Sequence, residues 1–166
     1  MHVFDFDGTL VDTPTPKDGM ELYRSVTGEE WPFQGWWGRA ESLEPPLTME
    51  CGPALDEYRE SVANDAVATV MMTGRRIKLK KSVEAVMRMF DIECHEHIFN
   101  GTRFCTLEYK QNELRRLVAK YKPKRVRIWE DRISHAKEFQ DMDAEFRSKF
   151  GVESWDVTLV EPSNDF

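Results

Sequence analysis

Short apolar runs recur along the chain, and segments with helical periodicity separate them. Five runs predict strands, at residues 2–7, 66–72, 97–99, 125–129 and 155–160. Glycine, proline or acidic residues follow most of these runs and favour a turn there. After the second run we expect Thr73 and Gly74 to begin a loop, and the last run is predicted to be an edge strand before a polar tail, residues 162–166.

Apolar residues spaced three and four apart predict three helices after these strands. Their apolar positions are Val83, Val86, Met87 and Phe90, then Leu114, Leu117, Val118 and Tyr121, then Phe139, Met142, Phe146 and Phe150. Pro123 should end the second helix and Gly151 the third. Strands that alternate with helices predict an α/β fold with a doubly wound parallel sheet and right-handed crossovers.

Residues 12–65 break this alternation, because they hold six of the eight prolines in the chain. Within this segment, the sequence pattern predicts helices at residues 19–26 and 53–62. We interpret residues 13–65 as a small cap inserted after the first strand, within a single domain of residues 1–166, since 166 residues suit one core.

Charge is unevenly distributed along the chain, whose net charge is -7. Residues 1–66 hold 4 Lys and Arg against 14 Asp and Glu, residues 67–127 hold 15 against 6, and the remainder 4 against 10. The basic middle third is either a set of solvated helix faces or an anion-binding surface. No apolar run has the length of a membrane span, and three cysteines do not make a disulfide scaffold, so we expect a cytoplasmic protein without a membrane partner.

Polar residues follow the predicted strands, at the edge where parallel sheets bind ligands. Asp5 and Asp7 are the most informative pair, because side chains at positions i and i+2 of an extended segment share one face. One carboxylate can attack a phosphoryl group while the other transfers a proton. Gly8 permits the abrupt turn that exposes both groups.

Four motifs follow one another along the chain: Asp5-Phe6-Asp7-Gly8-Thr9, Thr73-Gly74-Arg75, Lys110 and Glu130-Asp131. They resemble, in this order, the first to fourth motifs of the haloacid dehalogenase (HAD) superfamily of phosphohydrolases. The resemblance implies a Rossmann-like HAD fold and a magnesium-dependent phosphatase that forms an aspartyl-phosphate intermediate. We expect Lys110 to precede the second helix rather than lie within it.

The same resemblance implies a role for each motif residue. Asp5 would be the nucleophile, Asp7 the general acid and base, Thr73 a hydrogen-bond donor to phosphoryl oxygens and Lys110 a charge stabiliser. The expected substrate-binding residues are Thr9, Gly74, Arg75 and Arg132. Mg²⁺ would lie among Asp5, the main-chain carbonyl of Asp7 and Asp131, with Glu130 as a further candidate ligand, although many HAD proteins have Asp at that position.

Shorter segments resemble particular groups within this superfamily, and these resemblances indicate a class of substrate. Trp129-Glu130-Asp131-Arg132 is similar to the fourth motif of polynucleotide kinase 3'-phosphatase domains. Residues 5–16, Gly35-Trp36-Trp37, Thr73-Gly74-Arg75 and the segment from Glu130 to His135 resemble HAD domains of multifunctional "Swiss army knife" RNA repair proteins. These similarities imply a terminal (3') phosphate of a nucleic acid or nucleotide as substrate, with RNA or DNA ends as partners.

Other interpretations remain at this stage. The acidic total charge favours a small-metabolite phosphatase, and a HAD-fold binding module without turnover is a third hypothesis. Arg75 is either a substrate contact or the structural partner of an acid. The aromatic residues between Trp31 and Trp37 either pack the insertion or stack on a base. The sequence leaves the oligomeric state open.

Overall fold

The computed structural model describes residues 1–161, in which helices cover both faces of a five-stranded parallel sheet. The elements in chain order are β1 (His2–Phe4), β2 (Val11–Asp12), α1 (Pro16–Thr27), a 3-10 helix (Ala40–Leu43), β3 (Glu50–Cys51), α2 (Leu55–Val62), β4 (Thr69–Arg76), a 3-10 helix (Ile77–Leu79), α3 (Lys80–Met89), β5 (Glu96–Asn100), α4 (Thr106–Tyr121), β6 (Arg125–Glu130), α5 (Ile133–Gln140), α6 (Asp143–Phe150) and β7 (Ser154–Leu159). The predicted polar tail lies outside the described residues. Among those residues, no helix has the length and apolar character needed to cross a membrane.

Alternate residues of the central strands face opposite sides of the sheet, and different helices cover each side. The sheet order is β5-β4-β1-β6-β7, which makes β7 an edge strand as predicted. Phe4, Met71 and Trp129 pack with side chains of α2 and α3. Val3 and Val70 pack on the other side with α4, α5 and α6. The predicted doubly wound α/β fold is therefore confirmed.

The segment between β1 and β4 contains α1, a 3-10 helix and α2, and β2 pairs with β3 in a separate antiparallel ribbon. The side chain of Thr15 caps the start of α1, and Gly28, with a φ of 77°, ends it. The helices predicted at residues 19–26 and 53–62 correspond to α1 and α2. The extent of the cap, residues 13–65, stays a prediction.

The loop predicted at Thr73 and Gly74 is wrong, because β4 continues to Arg76. Its pairing with β5 is irregular between Met72 and Arg76. A Cβ atom on Gly74 would lie 2.5 Å from the methyl group of Thr106. Glycine is needed here for the close approach of α4 rather than for a turn.

Two helix boundaries also differ from the prediction. Lys110 lies within α4, which begins at Thr106, and its side chain is buried beside carboxylates that compensate its charge. The single helix predicted across Phe139 and Phe146 is divided into α5 and α6. The helical hydrogen-bond pattern changes there to a tighter turn, in which the N–H of Met142 donates to the carbonyl of Phe139, three residues earlier (3.1 Å). Phe139 and Phe146 nevertheless share one core.

Candidate active site

A cavity of about 340 Å³ opens at the C-terminal edge of the sheet, where β1, β4 and β6 end. The strand ends contribute Asp5, Asp7, Arg75 and Asp131, and α4 contributes Lys110. Parallel sheets bind ligands at this edge. The structure thus brings residues of all four predicted motifs to one cavity.

The turn after β1 aims two carboxylates into this cavity. The N–H of Asp5 donates to the carbonyl of Trp129 (3.0 Å), which extends the pairing of β1 by one residue. Gly8 then adopts a φ of 69°, a conformation that favours glycine, and its N–H donates to the carbonyl of Val11 (2.8 Å). Asp5 and Asp7 both line the cavity as a result.

The buried Lys110 ammonium connects two carboxylates. Its Nζ donates to Asp5 Oδ1 and to Glu130 Oε2, at 2.8 Å in each case. Glu130 Oε1 accepts the main-chain N–H of Arg132 at 3.1 Å. His135 Nδ1 lies 3.8 Å from Glu130 Oε2, beyond hydrogen-bonding distance. Glu130 therefore fixes the ammonium group against the predicted nucleophile.

The environment moves the pKa values of the two carboxyls in opposite directions. Burial raises the pKa of Asp5 well above its ordinary value, and the negative charge of Glu130 adds to this, while Lys110 opposes it. Burial also raises the pKa of Glu130, but the charge of Lys110, the nearby His135 and the hydrogen bond from Lys110 together outweigh it and leave that pKa below its usual range. Interactions with Asp5 and Glu130 likewise outweigh burial and raise the pKa of Lys110.

The donor set at the cavity floor fits a divalent cation. Carboxylate oxygens of Asp5, Glu130 and Asp131 lie within 4.8 Å of one another, the one such cluster of His, Cys, Asp and Glu ligands within residues 1–161. Hard oxygen ligands suit Mg²⁺, and three buried carboxylates carry more charge than the Lys110 ammonium neutralises. Asp5 and Asp131 line the cavity, whereas both oxygens of Glu130 already accept hydrogen bonds.

Arg75 holds Asp7 and connects it to the insertion. Its Nε lies 2.9 Å from Asp7 Oδ2, and its Nη2 lies 2.7 Å from Oδ1, which also accepts the hydroxyl of Thr13 at 2.6 Å. Arg75 Nη1 donates to Ser42 Oγ (2.9 Å) and to the carbonyl of Trp37 (3.3 Å). Thr13 and Ser42 are not among the predicted site residues, and no local signal marks Ser42, which is 33 residues from Arg75.

The predicted catalytic residue Thr73 and the other predicted substrate-binding residues differ in position. Gly74 and Arg132 line the cavity, whereas Thr9 and Thr73 are fully buried and lie outside its lining. Thr73 Oγ1 accepts the main-chain N–H of Arg75 at 3.1 Å. Within residues 1–161, the buried hydroxyl of Thr9 has no hydrogen-bond partner. The roles of these four residues stay predictions.

Two adjacent tryptophans of the insertion occupy different environments. Trp36 is buried, its ring centroid is 4.7 Å from that of Trp31, and a Cβ atom on Gly19 would overlap it at 2.0 Å. Trp37 lines the cavity, and the Arg75 guanidinium lies 5.3 Å from its ring centroid. Trp36 thus packs the insertion, while Trp37 forms part of the site.

Comparisons with known proteins agree with this geometry. A family model described as "HAD domain family 1 in Swiss Army Knife RNA repair proteins" matches residues 21–166, a range that begins after the first motif. Uncharacterized protein YMR265C of Saccharomyces cerevisiae is 25% identical over an alignment of 166 positions, which spans 84% of this chain and 36% of the yeast protein. The chain thus spans about a third of that relative's length. No solved structure matches this chain.

Proposed function

The chain belongs to the HAD domain family of Swiss Army Knife RNA repair proteins, and from this membership we propose a magnesium-dependent phosphomonoester hydrolase that forms an aspartyl-phosphate on Asp5. HAD-type phosphatases act on phosphorylated substrates. The substrate that we assign is the terminal 3' phosphate of a nucleic acid or nucleotide.

The hydrogen bond from Lys110 to Asp5 carries the proposal, since it places a fixed cation beside a carboxylate that opens on the cavity. An oxygen of Asp5 attacks phosphorus, and the bond from phosphorus to the ester oxygen breaks. Lys110 stabilises the charge on the phosphoryl oxygens during this transfer. The leaving oxygen takes a proton from Asp7 in its acid form. We assign the proton to Oδ2, because Oδ1 accepts three hydrogen bonds and Oδ2 accepts one.

The second half of the reaction reverses the role of Asp7. A water molecule gives a proton to Asp7 and attacks the phosphorus of the acyl phosphate, which releases inorganic phosphate and restores Asp5. One ester and one water become one alcohol and one phosphate. Arg75 keeps the Asp7 carboxylate oriented for both transfers through its contacts with both oxygens.

Asp5, Asp131 and the main-chain carbonyl of Asp7 would hold Mg²⁺ in this proposal. When bound, the ion neutralises charge between an anionic nucleophile and an anionic phosphate and polarises the phosphoryl group. Glu130 would act through Lys110, since its two oxygens already accept hydrogen bonds.

Two observations support a nucleic-acid substrate. The matching family is described by its occurrence in RNA repair proteins. The cavity is also lined by the cationic side chains of Arg76 and Arg132, which suit phosphate groups. A small-metabolite phosphatase is the second candidate, because a volume of about 340 Å³ matches one small substrate.

Phosphate release from an aryl phosphate, a 3'-nucleoside monophosphate and a 3'-phosphorylated oligonucleotide, each with and without Mg²⁺, tests the proposal. We expect Mg²⁺-dependent turnover and a preference for the oligonucleotide at low salt. Asp5→Asn should lower kcat by about three orders of magnitude or more, because an amide cannot serve as the nucleophile. The matched control is Asp156→Asn, on the exposed edge strand β7. Turnover by Asp5→Asn at the wild-type rate would refute the mechanism.

A further inference from the structure

We propose that an exposed shelf beside the cavity binds the single-stranded nucleic acid that leads to the terminal phosphate. The shelf consists of Arg76 at the end of β4, of Ile77 and Lys78 in the 3-10 helix that follows, and of the loop at residues 101–105 between β5 and α4. The inference rests on the proposed function and adds to it a polynucleotide site outside the catalytic cavity.

Asn100 holds the loop of the shelf in one conformation. Its Oδ1 accepts both the N–H (2.9 Å) and the hydroxyl (2.8 Å) of Thr102, and its Nδ2 donates to the carbonyl of Phe104 (3.3 Å). The N–H of Phe104 donates to the Thr102 hydroxyl at 3.2 Å. The Arg76 guanidinium also donates to the carbonyl of Thr102. These bonds join the two segments into one surface that needs little ordering when a ligand binds.

Exposed apolar and cationic side chains alternate on this surface. Phe104 is 49% exposed and Ile77 is 57% exposed, although the chain around them is ordered by hydrogen bonds. Arg76, Lys78 and Arg103 are exposed next to them in sequence. Aromatic faces that stack on bases, interspersed with cations that contact the backbone, are the combination that single-stranded nucleic acids require.

The shelf is continuous with the cavity. Arg76 belongs to both, and the loop leads directly into Thr106, which lines the cavity and contacts Gly74. The cavity lining also includes Asp12, just before the insertion, and the pairing of β2 with β3 places Glu50 opposite it. A phosphodiester chain is repelled by these acids and attracted to Arg76 and Arg103. The charges therefore direct the nucleic-acid chain across the shelf, with the terminal phosphate of that chain in the cavity.

Alanine variants of the shelf and of a matched surface test this proposal. Arg103→Ala and Phe104→Ala remove an exposed cation and an exposed apolar side chain that are adjacent in sequence. Arg88→Ala and Met89→Ala remove the same kinds of group at the C-terminal end of α3, which the parallel crossover places at the opposite edge of the sheet.

Binding is measured by fluorescence anisotropy with a single-stranded RNA of about eight nucleotides that lacks a terminal phosphate. Phe104→Ala should weaken binding roughly tenfold, as loss of one stacked base does. Arg103→Ala should reduce the slope of log K against log salt by about 0.7, which corresponds to one phosphate contact on a single strand. Arg88→Ala and Met89→Ala should bind like the wild type.

A kinetic measurement separates the shelf from the proposed reaction. In Phe104→Ala, the ratio of kcat/KM for a 3'-phosphorylated oligomer to that for a 3'-mononucleotide should fall by the same factor as binding. The shelf is refuted if the wild-type chain does not bind the RNA, or if shelf and control variants bind it equally. Absence of phosphate release from every substrate refutes the proposed function instead, and the anisotropy measurement still decides whether the shelf exists.

Discussion

Replacing Lys110 with methionine tests whether one buried ammonium group holds the candidate active site together. Methionine keeps an unbranched apolar side chain and removes the charge. Asp5 and Glu130, both buried, each lose a donor at 2.8 Å. Removal of one partner from a buried ion pair destabilises a protein by about 3–5 kcal/mol. We expect a loss near 3 kcal/mol in metal-free buffer, because Asp5, whose pKa is already raised, can relieve its charge by taking a proton.

The size of this loss should depend on pH. In the wild type, Lys110 helps to keep the pKa of Glu130 below its ordinary value. At pH values above the unfolded-state pKa, the ionised carboxylate therefore stabilises the fold. This contribution is lost as the pH falls through the lower folded-state pKa. Removal of Lys110 takes away the largest interaction that lowers the pKa of Glu130 and leaves burial, which raises it, so the carboxylate adds less stability as the pH rises. The difference in free energy of unfolding between the two proteins should therefore grow from about pH 4 to about pH 7.

Urea denaturation in the presence of a chelator, monitored by tryptophan fluorescence at both pH values, measures this difference. The double variant Lys110→Met/Glu130→Met should recover at least half of the lost stability, because apolar residues can replace a buried ion pair. Lys120→Met is the matched control on the same helix, since its ammonium is half exposed and forms a surface ion pair with Glu96, and it should lose at most about 1 kcal/mol. A Lys110→Met variant as stable as the wild type at both pH values would refute the reasoning.

Three further predictions concern single side chains. Asp131→Ala should raise the Mg²⁺ concentration required for half-maximal activity, whereas Glu130→Gln should lower kcat and leave that concentration near the wild-type value; an unchanged Mg²⁺ titration for Asp131→Ala would exclude it as a ligand. Arg75→Lys should lower kcat about tenfold to a hundredfold with little change in KM, because lysine cannot contact both oxygens of Asp7; equal kcat values would show that this contact is dispensable. Trp36→Ala should lower the free energy of unfolding by about 3–5 kcal/mol in urea titrations, and a loss below about 1 kcal/mol would contradict its packing role.

Local patterns were sufficient to predict the sheet and the position of its motifs. Apolar runs with β-branched residues indicate buried strands, and apolar residues at helical spacing indicate the buried face of a helix. β5, β6 and α3 accordingly lie near their predicted positions. Because parallel strands align their C-terminal ends, the residues that follow β1 and β6 had to meet at one edge. Asp5, Glu130 and Asp131 do meet there.

The errors occur where distant residues decide a local conformation. Gly74 has the sequence character of a turn, yet the approach of Thr106 from α4 explains its glycine. Lys110 is a charged residue that would be exposed on most helices, and only the carboxylates of Asp5 and Glu130, 105 and 20 residues away, permit its burial. A pattern of apolar and polar residues carries no information about such compensation.

The contacts of Arg75 connect the insertion to the candidate active site. Its guanidinium is buried and obtains its hydrogen bonds from Asp7, 68 residues away, and from Ser42 and the carbonyl of Trp37 in the insertion. A buried guanidinium must keep such partners, because a buried charge that lacks hydrogen bonds destabilises the folded protein by several kcal/mol. Displacement of the insertion would therefore disturb Asp7 directly. Substrate entry along the side of the cavity bordered by Arg76, which the proposed shelf requires, would leave these contacts intact.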